Sequence, residues 1–218
     1  MPRHTKGGPV VASDGAGLAL ELRDVSKVYR GRVHALRGID LEVGRGEVFG
    51  LLGPNGAGKS TLIKILMTVI RPTTCSGHML GRAIGSKSTL KRVGYLPENH
   101  KFPAYLTGRQ ALDFYGAMSC VPRGERRRRA DELLELVGMA DWAGSKIGGY
   151  SKGMRQRIGI AQALINDPEL VLLDEPTDGV DPGGRRDIRA ILSHMRSEGR
   201  TVFINSHILS ELEQVCDR

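Results

Sequence analysis

The sequence predicts an α/β fold: an N-terminal antiparallel β region, a parallel core, and a helical lobe inserted into that core. Three observations predict it. Apolar residues alternate with period two at Leu18, Leu20 and Leu22 and again at Ile39, Leu41 and Val43, the signature of half-buried strands. Short continuous apolar runs recur at Val48–Leu52, Leu170–Leu173 and Thr201–Asn205, as strands buried on both faces require. Between the first two of these runs, residues 103–149 switch to helical spacing.

Residues 1–17 are rich in Gly, Pro, Ser and charge and read as a mobile tail, leaving residues 18–218 as one domain. Val25 and Val28 continue the first strand pattern. The run Val48–Leu52 passes into a Gly-rich loop and then a helix beginning near Lys59. The lobe, about residues 103–150, shows one helical face in Leu112, Phe114, Tyr115 and Met118 and another in Ala130, Leu133, Leu134 and Val137. Arg126–Arg129 stand at the start of that second pattern and read as its solvated face, in preference to a nucleic-acid patch. A third helical pattern, Ile188, Ile191, Leu192 and Met195, precedes the last strand.

The 218 residues fit one α/β domain, and 40% apolar with 26% charged residues excludes a disordered chain. No run approaches the roughly twenty apolar residues of a membrane span; the longest candidate, Leu62–Ile70, is broken by Lys64 and Thr68. The first residues lack the apolar core of a secretory signal. Three cysteines, Cys75, Cys120 and Cys216, have no metal-site spacing and read as reduced thiols of a cytosolic protein. A net charge of +8 suits either nucleic acid or an anionic membrane surface. Aromatics at 5% argue against a surface built on stacked bases.

The chemistry begins at Gly53-Pro54-Asn55-Gly56-Ala57-Gly58-Lys59-Ser60-Thr61, which follows a strand and opens a helix. Phosphate oxygens need several backbone N–H donors at close range, and glycines remove the side chains that would block that approach. Lys59 then reaches the β- and γ-phosphates, and the Ser60 hydroxyl is a ligand for Mg²⁺. The strand Leu170–Leu173 ends in Asp174 and Glu175. The first carboxylate suits Mg²⁺ and the second suits a general base acting on water.

Tyr150-Ser151-Lys152-Gly153-Met154-Arg155-Gln156-Arg157 precedes an apolar helix, and here the order of motifs becomes specific. Phosphate loop, YSKGM, LLDEPTDGVDP and then Ser206-His207 together resemble the cassette of an ABC-type ATPase, a P-loop NTPase, over essentially all of residues 18–218. The YSKGM form with YLPE resembles the branch that exports drugs or polysaccharides. The resemblance implies ATP and Mg²⁺ as ligands, with Tyr29 stacking on adenine and Glu98 in the loop that joins Mg²⁺ and the attacking water to the helical lobe. It implies that Ser151 and Gly153 close over the γ-phosphate held by a second subunit. Asp181 then meets that subunit, and His207 contacts the γ-phosphate.

It further implies a head-to-tail dimer of ATPase subunits, docked through residues near Tyr95–Tyr115 on a separate membrane-spanning permease at the cytoplasmic face of the membrane. The alternative is a non-transport relative acting in DNA repair or translation. One cassette without a long inserted coiled coil speaks against it, and nucleic acid is set aside as a partner. The sequence departs from the family pattern at several places. Glu98 stands for the usual Gln; its carboxylate can still ligate Mg²⁺, but it cannot donate a hydrogen bond when ionised. Lys152 and Met154 alter the signature loop, leaving Lys152 to add positive charge there or to point into solvent. Cys75 replaces a usual Gly and predicts an altered turn. The last residues, Cys216-Asp217-Arg218, stop where the family continues into further sheet, which predicts a fragment or, for a chain that ends there, an exposed sheet edge.

Overall fold

Two four-stranded sheets organise the chain in the computed structural model, which describes residues 17–31 and 33–218. The N-terminal tail expected over residues 1–17 lies, apart from Gly17, outside the described residues. In chain order the elements are β1 (Leu18–Tyr29), β2 (Val33–Gly44), β3 (Val48–Leu52), α1 (Lys59–Leu66), β4 (Thr74–Met79), β5 (Arg82–Ala83) and β6 (Val93–Leu96). There follow α2 (Gly108–Met118), α3 (Arg123–Leu136), α4 (Lys152–Leu164), β7 (Leu170–Asp174), α5 (Pro182–Ser197), β8 (Thr201–Ser206) and α6 (Leu209–Leu212).

The first sheet runs β2-β1-β4-β5 with every pair antiparallel. Its period-two face buries Leu20, Leu22, Val25 and Val43 against α1 and one side of the second sheet. The second sheet runs β3-β8-β7-β6, all parallel. Val171, Leu173, Val202 and Ile204 point to its other face, where they join α2, α3, α4 and α5 in a second core. A strand buried on both faces cannot alternate, which is why these segments appear in the sequence as unbroken apolar runs. Phe49 and Phe203 stack across β3 and β8 with ring centroids 5.4 Å apart.

Position β6 depends on one glycine. A Cβ on Gly94 would sit 1.9 Å from the carbonyl oxygen of Ala163 in α4. Both partners are backbone in packed elements, so neither yields without displacing its element. Gly94→Ala is expected to destabilise the fold by about 3 kcal/mol and lower Tm by about 6–12 °C in a thermal melt.

The helical lobe is built from α2 and α3, packed on α4. Helix α2 begins in a reciprocal capping box: Gln110 N–H donates to Thr107 Oγ1 at 3.2 Å and Thr107 N–H donates to Gln110 Oε1 at 2.9 Å. The arginine run does not behave as one solvated face. Arg127 and Arg128 are exposed, but the Arg126 and Arg129 side chains are largely buried. Arg126 donates to Asp113 and to the Val121 carbonyl, and Arg129 donates to the Leu164 and Ile165 carbonyls at the end of α4. Guanidinium forks satisfy backbone carbonyls that the ends of α2 and α4 leave open.

Two expectations from the sequence change here. Cys75 lies within β4, half-buried against the antiparallel sheet's core, and not in a turn; burial raises its thiol pKa. The outer edge of β3 is bonded by the last residues over its first half, at Val48 and Gly50. Asp217 N–H donates to the Val48 carbonyl and Gly50 N–H to the Arg218 carbonyl, each at 2.8 Å. The Asp217 carboxylate also accepts from Val48 N–H at 2.9 Å.

Candidate active site

Strands β3 and β7 point their C-terminal ends at one cleft, as parallel sheets do at ligand sites. The cleft measures about 430 Å³ and is lined by Asn55, Gly56, Gly58, Lys59, Ser60 and Thr61 of the loop after β3, together with Ala35, Glu98, Glu175, Asp178 and His207. The loop leaves β3 and turns into α1 at Gly58, whose φ of +93° is a left-handed conformation that glycine adopts without penalty. A Cβ there would meet the Ala35 carbonyl oxygen at 2.2 Å. The loop therefore lies directly against β2, and its residues and the first turn of α1 line the cleft.

Lys59 is buried and folds back on its own loop, donating to the Gly53 carbonyl at 2.6 Å and the Pro54 carbonyl at 3.2 Å. Its ammonium lies 3.7 Å from Glu175 Oε1. Glu175 is also buried, and its other oxygen, Oε2, lies 2.8 Å from His207 Nδ1. Thus one carboxylate sits between a lysine from the phosphate loop and a histidine from the end of β8. Glu175 holds φ at +52°, a strained position for a side-chain-bearing residue of the kind that collects at active sites. Its backbone is fixed by N–H donation to the Asn205 carbonyl at 2.9 Å.

Asp174 is buried one residue earlier and accepts from the Ser60 hydroxyl at 3.2 Å and from the Asn205 amide, both at Oδ1. Burial raises its pKa, the hydrogen bonds from Asn205 and Ser60 oppose that, and the neighbouring Glu175 charge adds to it. Beside the cleft, Tyr95 has its phenol pushed up to about 12, first by burial and then by the charges of Asp174 and Glu98. Two residues past Glu98, His100 sets one ring nitrogen 3.3 Å from the Pro97 carbonyl and the other 3.2 Å from the Arg155 carbonyl of α4. The exposed loop carrying Glu98 is in this way held to the signature helix.

Other residues named from the sequence stand apart from this cleft. Tyr29 ends β1, is 38% exposed and is not part of the cleft lining; Lys27 lies over its ring at 5.1 Å. Ser151 caps α4, its Oγ accepting from Met154 N–H at 3.1 Å. Asp181 caps α5 by accepting from Gly183 and Gly184 N–H. A Cβ on Gly153 would lie 3.3 Å from Val180, so the signature loop packs on the Asp181 loop of the same chain. Lys152 is not part of the cleft lining; its side chain is about half exposed and donates to the equally exposed Asp178 at 3.0 Å.

Sequence reasoning did not single out Asp178, Asn205, Gln156 or Glu211. Gln156 is buried in α4 with its amide 3.4 Å from the Glu175 carbonyl. Glu211, buried in α6, accepts from Thr177 and pairs with Arg185 of α5 at 3.2 Å, tying the segment after His207 to the loop that carries Asp181. Of these only Asn205 carried a local signal, a polar residue closing the apolar run Val202–Ile204; the other three sit among polar neighbours. Glu211→Ala leaves the Thr177 hydroxyl buried without an acceptor and is expected to cost about 1–3 kcal/mol in a denaturant melt.

A glycine-lined loop on a helix N-terminus, a lysine, a paired hydroxyl and carboxylate, and a second carboxylate beside a histidine define a phosphate-handling α/β cassette. The family model described as ABC transporter matches residues 36–178, and the chain belongs to that family. An uncharacterised ABC transporter ATP-binding protein of Synechocystis is 48% identical over 91% of this chain and 58% of its own length. A daunorubicin resistance ATP-binding protein of Streptomyces coeruleorubidus is 39% identical over 93% of this chain and 65% of its own. The chain thus spans less than two thirds of these relatives. Among solved structures, a dimeric ATP-binding cassette in a post-hydrolysis state with ADP and Pi superposes with a TM-score of 0.80 at 25% identity, covering 90% of this chain and 91% of that one.

Proposed function

We propose that this chain is the ATP-binding and ATP-hydrolysing part of an ABC transporter, driving cargo movement by a separate membrane-spanning subunit. The observation that carries the reading is the convergence of Lys59, Glu175 and His207 on one cleft closed by the phosphate loop. The cleft's volume and backbone donors suit a nucleoside triphosphate. Residues 18–218 act as one unit in this reading, with residues 103–150 as its lobe.

The residues also suit Mg²⁺. Ser60 Oγ and the Asp174 carboxylate, hydrogen-bonded to each other through Oδ1 at 3.2 Å, offer hard oxygen ligands, and the buried Asn205 Oδ1 has no hydrogen-bond partner. Among the described residues no cluster of three or more His, Cys, Asp or Glu side chains forms a self-sufficient metal cage, so the remaining ligands are phosphate oxygens and water. When bound, the cation neutralises charge on the β- and γ-oxygens.

The protein's own groups do the rest. Lys59 exchanges its loop carbonyls for phosphate oxygens, which releases Glu175 Oε1. Glu175 then takes the proton of an attacking water, a role that its buried position favours. His207, held at Glu175 Oε2, orients that carboxylate and reaches the γ-phosphate. Ser151 and Gly153 lie outside this cleft, which supports a head-to-tail dimer in which each chain completes the site of the other. Glu98 on its exposed loop reports the state of the cleft to the lobe, and Tyr29 and Asp181 serve adenine and the second subunit.

The lobe exposes Tyr105, Phe114 and Met118, apolar surface that suits a membrane subunit and a peripheral position at the cytoplasmic face. Among the described residues no helix is long and apolar enough to cross a membrane. Export is the direction favoured by the drug-resistance relative. The test is gentle detergent purification of the tagged full protein with its co-purifying chains identified. A stoichiometric multi-span membrane protein is expected. Ribosomes, nucleic acid or repair factors in its place would overturn the transport role.

A further inference from the structure

We propose that Asn205 is a positioning residue for the cation, setting the direction of the Asp174 carboxylate that is read above as its ligand. Asn205 is the polar member of an otherwise apolar stretch, Val202-Phe203-Ile204-Asn205, and is 0% exposed. Burying an amide there is costly unless it is bonded, so its presence calls for a partner. The parallel register of β7 and β8 sets Asn205 opposite Asp174.

Two bonds follow from that register. The Asn205 side-chain N–H donates to Asp174 Oδ1, and its backbone carbonyl accepts from Glu175 N–H at 2.9 Å. A single residue of β8 thereby fixes the carboxylate of one acid and the backbone of the next. Ser60 also donates to Oδ1, while Oδ2 receives no hydrogen bond from any described residue. Oδ1 is saturated by protein donors, and Oδ2 is left for the cation or its water shell. The Asn205 Oδ1 atom is buried and accepts from no described residue. The amide orientation follows from Asp174, because turning it over would place oxygen against oxygen.

The inference rests on the reading of Asp174, so the experiment separates the two. In a Glu175→Gln background, ATP affinity of the full protein is measured by titration calorimetry with Mg²⁺ and again in EDTA. The ratio of the two affinities is the contribution of the metal. Asn205→Val suits a buried parallel strand and removes both amide groups; Asn205→Thr has the same shape with a hydroxyl restored. The ratio is expected to fall about 10- to 100-fold in Asn205→Val, with metal-free affinity within about twofold of the parent, and to recover in part in Asn205→Thr. An unchanged ratio in Asn205→Val overturns the positioning role. So does an equal loss in both variants that extends to metal-free ATP binding, since that marks a role in folding alone. A parent protein with no metal-dependent gain would instead contradict the assignment of Asp174.

Discussion

Glu175→Gln is expected to bind ATP with nearly the parent's affinity and to hydrolyse it about 10²- to 10⁴-fold more slowly. The substitution keeps the shape of the side chain and its contact with His207, but an amide accepts no proton from water. It also removes the carboxylate 3.7 Å from the Lys59 ammonium, so Lys59 meets the phosphates without a competing charge. Single-turnover phosphate release and equilibrium nucleotide binding, measured on the same preparation, read the two effects apart. Normal hydrolysis by this variant would remove Glu175 from the mechanism.

The second large effect is expected from Gly58→Ala. The methyl group meets the Ala35 carbonyl oxygen at 2.2 Å, and the residue would still have to hold φ near +93°. Left-handed backbone costs an alanine about 1–2 kcal/mol before the clash is counted. The loop can relieve both by moving away from β2, which takes its N–H groups out of register with the phosphates. ATP affinity is expected to fall at least about 100-fold, well beyond any change in far-UV circular dichroism, because the core strands and helices do not depend on the loop. Retained affinity would show that the loop's position against β2 does not matter for binding.

These effects centre on parts of the molecule that were plain in the sequence. The apolar runs of β7 and β8 stood out because both faces of each strand are buried, and each run, like that of β3, ends in the residues that line or support the cleft. Periodicity likewise marked α3 and α5, whose buried faces include Leu134 and Ile188; in α2 it found the helix but not its buried face, since Leu112 packs inward with Ala111 and Gly116 while Phe114 and Met118 are exposed. Other features depend on tertiary neighbours and leave no local pattern. Arg126 and Arg129 look no different in sequence from Arg127 and Arg128, yet their partners are carbonyls of α4 and of the turn after α2. Lys152 finds Asp178, and the β3 edge finds residues 217–218, through contacts distant in the chain. Asn205 looked like the end of a strand, and only the β7–β8 register gives it a partner in Asp174.

The two halves of the proposed site lie apart on one chain, with the phosphate loop at one cleft and Ser151 capping α4 outside it. In the proposed dimer, nucleotide would hold two copies together, because its γ-phosphate would have donors on both. The most direct measurement is the mass of the Glu175→Gln full protein in solution, by light scattering, with ATP and Mg²⁺ and then with ADP and Mg²⁺. The expected result is twice the monomer mass with ATP and the monomer mass with ADP. A protein that stays monomeric at every concentration tested, with ATP demonstrably bound, would contradict the shared site.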